Sequence, residues 1–227
     1  YRLGAAATFG TAGAVAFDLT RPLSWGLANH LTARIDGELD EWAGKKAFYL
    51  SETREMEQPG KFTRISPIER ATCWLGYDDN FLYLAAAAPD EMPTNSHSKG
   101  LLWRGDALTV GLSTAGEATA LPAPDDCVLQ LALTDQGPVL HCAHGPGKTQ
   151  PERFYFKVKH SEGITSYEVA VPWALLGREP SEGALLRANV VLHATDSPRT
   201  EATSFALAPG LAEGASPALW PTFILAP

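Results

Sequence analysis

The hairpin at residues 72–88 constrains this chain more than any other stretch. Thr72 to Tyr77 is a largely apolar run, and Phe81 to Ala88 returns from it. Asp78-Asp79-Asn80 lies between them and supplies residues that tolerate the left-handed backbone of a tight turn. Side chains alternate along a strand, so Leu82, Leu84 and Ala86 share one face while Phe81, Tyr83 and Ala85 share the other. Both faces are apolar. Such a strand belongs in the middle of a sheet, covered on both sides.

Similar short runs recur along the chain. Strands are expected at 47–50, 107–113, 127–134, 139–143, 154–160, 164–171, 185–194, 203–207 and 222–225. Asp135-Gln136-Gly137-Pro138 and Glu162-Gly163 turn the chain between neighbours. Pro172 to Gly177 reads as one helical turn, opened by proline and stopped by glycine. Residues 51–70 read as a long polar loop turning at Gln58-Pro59-Gly60, and long loops in compact domains are often functional. Ten or more short strands without a long helix predict an all-β fold, an antiparallel β-sandwich of jelly-roll or immunoglobulin-like general shape. With 20 Gly and 17 Pro, the composition suits many turns. The 227 residues suffice for a sizeable core.

Residues 1–30 read as a lead-in, either an extra strand at Ala14 to Leu19 or the end of a preceding domain, the second being favoured. The sandwich would occupy 31–227. Tyr1 to Ala16 does not have the form of a complete signal peptide, and the chain reads as a processed product or part of something longer. No apolar run reaches the length that spans a bilayer.

The net charge of −8, with no basic stripe, argues against nucleic acid and gives no attraction to anionic membranes. No nucleophile elbow, phosphate loop or His-Glu-x-x-His is present, so the chain is not expected to be catalytic itself. Of the three cysteines, Cys127 and Cys142 flank a hairpin and could bridge; three buried thiols is the plainer reading. His141 and His144 flank Cys142, but their odd spacing sends them to opposite faces of a regular strand and argues against a shared zinc.

Five segments carry a resemblance. They are Arg34-Ile-Asp-Gly-Glu-Leu-Asp-Glu-Trp42, Tyr77-Asp-Asp-Asn-Phe-Leu-Tyr-Leu84, Trp103-Arg-Gly-Asp-Ala-Leu108, Tyr167-Glu-Val-Ala-Val-Pro-Trp173 and Pro217 to Leu225. In this order they resemble the family 9 carbohydrate-binding module, a DOMON-like β-sandwich, over residues 34–225. The resemblance implies a sugar slot with Trp103 as stacking wall, Asp106 and Gln130 as hydroxyl partners, and Phe205 or Trp220 as second wall. Aromatic rings suit the apolar face of a pyranose, and amides and carboxylates take its hydroxyls. Three positions depart from the family pattern. Thr109 stands where a Glu is expected, Gln130 where an Arg is, and Phe205 where the second Trp is.

The family can also carry calcium, which would take Asp36, Asp40, Asp90, Asp125 or Asp126; capping of turns is the plainer role for each. The same sandwich is similar to haem-binding electron-transfer domains, for which Met56 or Met92 with His97, Lys99, His141 or His193 are the available ligands. The resemblance implies non-catalytic binding of a polysaccharide or its chain end, beside a catalytic domain of the same or a partner protein. The alternative is a structural domain that docks such an enzyme without binding sugar. The acidic balance favours neutral or amino sugars. An exported location, secreted, periplasmic or at the cell surface, follows from the resemblance alone.

Overall fold

A computed structural model describes residues 24–52, 68–114, 119–195, 202–212 and 214–227. Among them are twelve strands: β1 (Ser24–His30), β2 (Ala47–Glu52), β3 (Ile68–Tyr77), β4 (Phe81–Pro89), β5 (Ala107–Ser113), β6 (Cys127–Thr134), β7 (Gly137–His144), β8 (Tyr155–Ser161), β9 (Ile164–Pro172), β10 (Leu185–Ala194), β11 (Thr203–Ala206) and β12 (Thr222–Leu225). Helical structure is confined to short 3-10 turns, one of them the expected turn at Trp173–Leu175.

The strands form two packed layers. In the first the order is β7-β6-β5-β10, with β11 and β12 sharing the far edge of β10. In the second it is β8-β9-β4-β3, with β1 and β2 sharing the far edge of β3. The expected central strand is central: β4 pairs along its length with β3 on one side and β9 on the other. Leu82, Leu84 and Ala86 enter the main core between the layers, while Tyr83 and Ala85 join a smaller cluster with Trp42 outside the second layer.

The sandwich is not purely antiparallel. β1 runs parallel to β12 in one layer and to β3 in the other, joining the layers into one nearly closed mixed sheet. Asn29 fixes this strand: its side-chain amide donates to the carbonyls of Lys46 and Leu75 and accepts from the Lys46 N–H. The sequence reading placed residues 24–30 in the lead-in and expected no strand at these positions. The expected strand at Ala14 to Leu19, Met56 and most of the polar loop at 51–70 lie outside the described residues.

Candidate functional site

In β5 the side chains of Leu108, Val110 and Leu112 enter the core, so Thr109 and Gly111 face outward. Registration carries this face across four neighbours. Thr109 lies opposite Gln130 of β6, and Gln130 lies opposite His141 of β7. On the other side, Val191 lies opposite Thr109, and His193 opposite Ser204 of β11. The outer face of the first layer therefore bears a polar row of Ser204, His193, Thr109, Gln130 and His141.

Two lids stand on this face. At one end Leu102, from the 3-10 turn Lys99–Arg104, packs on Ala107, Ala132 and Val139. At the other end the Trp220 ring covers Gly111, where an added Cβ would come within 2.7 Å of the indole. Val128, Val191 and Leu211 complete this second cluster, and Trp220 Nε1 donates to the Gly210 carbonyl over 2.5 Å. Ala107 and Gly111 are about 13 Å apart along an extended strand, with Thr109 midway. The polar row runs between the lids, with Thr109, Gln130 and His193 buried, and forms the floor of a candidate trough.

The chemistry of the floor is neutral. His193 is buried; Nε2 is 2.9 Å from Thr109 Oγ1 and Nδ1 is 2.9 Å from Ser204 Oγ. Burial pushes its pKa down to about 4, so it carries no charge at neutral pH. Burial also lowers the pKa of His141, helped by Lys148 and Lys99. Gln130 is 8% exposed, and its buried Oε1 has no hydrogen-bond partner. An amide oxygen left unpaired in this way costs about 1–3 kcal/mol.

The expected site residues fall into three groups. Trp103 sits in the first lid, 43% exposed, with the Arg104 guanidinium 5.3 Å from its ring centre. Asp106 is buried, and its carboxylate accepts the backbone N–H groups of Thr94 over 2.5 Å and Thr195 over 2.7 Å. Asn95 donates from its side chain to the carbonyls of Leu102 and Asp106. Asp106 thus braces the turn that presents Trp103. Gln130 shares the trough floor with Thr109. Trp220 lies on the same face but is 4% exposed, closing the trough's far end with no free ring face to offer a sugar. Phe205 lies opposite Leu192, a core residue, and so faces the interior, where Arg70 sits 4.9 Å from its ring centre. The outward residue of β11 is its neighbour, Ser204.

The spacing argument for His141 and His144 also changes. A bulge in β7 shifts the register, placing His144 opposite Val128, a residue of the trough face. His144 Nε2 is 2.8 Å from the Ala123 carbonyl. Among the described residues no group of three or more His, Cys, Asp and Glu could hold a metal. Three of the five acids named for calcium cap turns: Asp36 accepts the N–H of Glu38, Asp90 that of Met92 and Asp126 that of Ala123. The donor set does not fit a calcium cage.

Met92 and His193 do border one cavity, of about 360 Å³, with Arg70, Asp106 and Tyr167. Both ring nitrogens of His193 are within hydrogen-bond reach of hydroxyls, so its surroundings do not fit a haem ligand. Cys73, Cys127 and Cys142 are buried, and none of them is in a disulfide.

No family model matches this chain, and no curated protein matches it. Solved structures do. A family 9 carbohydrate-binding module from Caldicellulosiruptor kristjanssonii, in complex with glucose, is 18% identical with a TM-score of 0.68, covering 88% of this chain and 94% of that one. The module in complex with cellotriose gives 18% identity, a TM-score of 0.67 and coverage of 88% and 93%. A candidate carbohydrate-binding protein from Bacteroides uniformis is 11% identical, with a TM-score of 0.57 over 90% of this chain and 99% of that one. The described sandwich has the fold of the family 9 carbohydrate-binding modules.

Proposed function

We propose that this chain binds carbohydrate, without catalysis, in the trough between the Trp103 turn and Trp220. The observation that carries the reading is the unpaired, buried Oε1 of Gln130 on a neutral polar face, at one end of which stands the turn that carries the exposed Trp103. A sugar hydroxyl is the donor that Oε1 lacks, and the apolar face of a pyranose suits the Trp103 ring. Two of the three solved structures of similar fold were determined with glucose or cellotriose, which supports the same reading. In this role the domain would hold a polysaccharide or its chain end near a catalytic domain, of the same or a partner protein. Such glycans lie largely outside cells, which favours an exported protein.

A second reading, docking of a neighbouring domain, draws on a groove across the outer face of the second layer. Ile35, Phe81, Phe156 and the 59%-exposed Tyr155 line a cavity of about 580 Å³ there.

Titration with mono- and oligosaccharides, followed by tryptophan fluorescence, tests the first reading. A saturable change that Trp103→Ala abolishes, with folding intact, is expected. A flat response across neutral, amino and acidic sugars would leave the docking role.

A further inference from the structure

The overall negative charge does not extend to the trough. The floor residues Thr109, Gln130 and His193 carry no charge at neutral pH. Carboxylates on this face are at its ends. Asp106 is committed to the N–H groups of Thr94 and Thr195. Asp126, whose Oδ2 accepts the Ala123 N–H, precedes β6 beyond the Trp220 lid, and Arg187 of β10 lies opposite Ser113 near by.

The rim beside His141 is cationic. Lys99 and Arg104 bound the turn that carries Trp103, and Gly100 of that turn lies against His141, with Nε2 3.5 Å from where a Cβ would be. Lys148, in the turn after β7, acts electrostatically on the same histidine, as does Lys99. Lys99 and Lys148 are exposed, and neither has an ion pair among the described residues. Lys99 also holds a left-handed backbone, φ 50°, a conformation costly for a side chain other than glycine's.

We infer that the trough takes an acidic sugar, a pyranose bearing a carboxylate, with its hydroxyls on Gln130 and Thr109 and its carboxylate toward Lys99 and Lys148. This rests on the carbohydrate-binding reading and narrows its ligand from the neutral or amino sugars that net charge alone favours. A hydroxyl supplies the proton that Gln130 Oε1 lacks. The carboxylate supplies the counter-charge that the two ammonium groups lack.

The test is a calorimetric titration with methyl glucuronide, methyl glucoside and glucose 6-sulfate, at low salt and at 0.5 M salt. The glucuronide should bind about tenfold more tightly than the glucoside at low salt, the size of effect that two partly exposed ion pairs reach. High salt should shrink that ratio. The double variant Lys99→Glu, Lys148→Glu should lose the preference for the glucuronide and keep its unfolding midpoint, because both side chains are exposed. Glucoside binding as tight as glucuronide binding would overturn the acidic-sugar inference and leave the carbohydrate reading standing. Tighter binding of the sulfate would overturn the carboxylate assignment. Binding of none of the three, by a folded protein that is also inert to the oligosaccharides of the fluorescence titration, would remove both readings.

Discussion

The indole N–H of Trp42 donates to Glu168 across 3.2 Å, tying the 3-10 turn at Asp40–Trp42 to strand β9. The other oxygen of the same buried carboxylate accepts the N–H groups of Asp36 and Gly37, over 3.2 and 2.8 Å. Glu168 therefore fastens the whole segment 36–42 to the second layer. The Trp42 ring then packs on Gly76, where an added Cβ would come within 2.9 Å.

Burial raises the Glu168 pKa above its ordinary 4.5 despite these three donors. The folded protein therefore binds more protons than the unfolded chain between the two pKa values, and this group's contribution to stability falls as pH rises through that interval. Glu168→Gln should remove that slope and cost about 1–3 kcal/mol at neutral pH, because an amide cannot serve all three donors. Urea unfolding of both proteins from pH 4 to 7 checks this; parallel curves would refute it.

His193 gives the opposite slope. Its folded pKa, near 4, is below the ordinary 6.5, so the unfolded chain binds more protons between these values and stability is lost as pH falls through them. The full loss approaches about 3 kcal/mol at 1.36 kcal/mol per unit. His193→Gln should flatten the acid side of the stability profile. NMR titration of the imidazole should show no protonation at pH 6; a protonated ring at that pH would contradict the assignment.

Gln130→Leu should separate stability from binding. It removes an unpaired buried oxygen and fills similar volume, so the fold should gain about 0.5–1.5 kcal/mol while sugar binding is lost. Thermal unfolding and titration of the one variant check both halves. A destabilised variant would mean that the amide has a partner in the folded state.

Burial pushes the thiol pKa of Cys127 up to about 12 and that of Cys142 up to about 11. The thiolate is the reactive form, so neither should react with an aromatic disulfide reagent at pH 8 in the folded protein. Buried Cys73 should behave likewise. All three thiols in the sequence should react in denaturant. Rapid labelling of the native protein would show that the core around β6 and β7 opens.

Much of the sandwich was legible because its strands are apolar runs between turn residues. β5 and β6 occupy the expected 107–113 and 127–134. β1 was missed because Ser-Trp-Gly-Leu-Ala-Asn-His has no strand pattern; it is a strand through its parallel partners, β12 and β3. The proposed site was named only in part from the sequence. Trp103 and Gln130 were reached through the resemblance, but Ser204, His193 and His141 join the floor only by cross-strand registration. Phe205 shows the limit: a one-residue step along a strand exchanges inside for outside. The β7 bulge defeats the odd-spacing argument for His141 and His144 in the same manner, because an inserted residue resets the alternation. The burial of Trp220 was not legible, because it depends on Gly111, distant in sequence.

The parallel strand that joins the two layers also sets a timetable. During synthesis residues 24–30 leave the ribosome long before their partner Thr222–Leu225, with nearly all the other described strands made between them. Until then β10 lacks β12 along Leu185–Arg187 and β1 lacks its second parallel partner, and the nascent sheet stays unsealed. Closing so long a loop is entropically expensive and slow. The seam should therefore form last, and a chain stalled or truncated before residue 222 would present bare strand edges to its neighbours, the geometry from which aggregation starts.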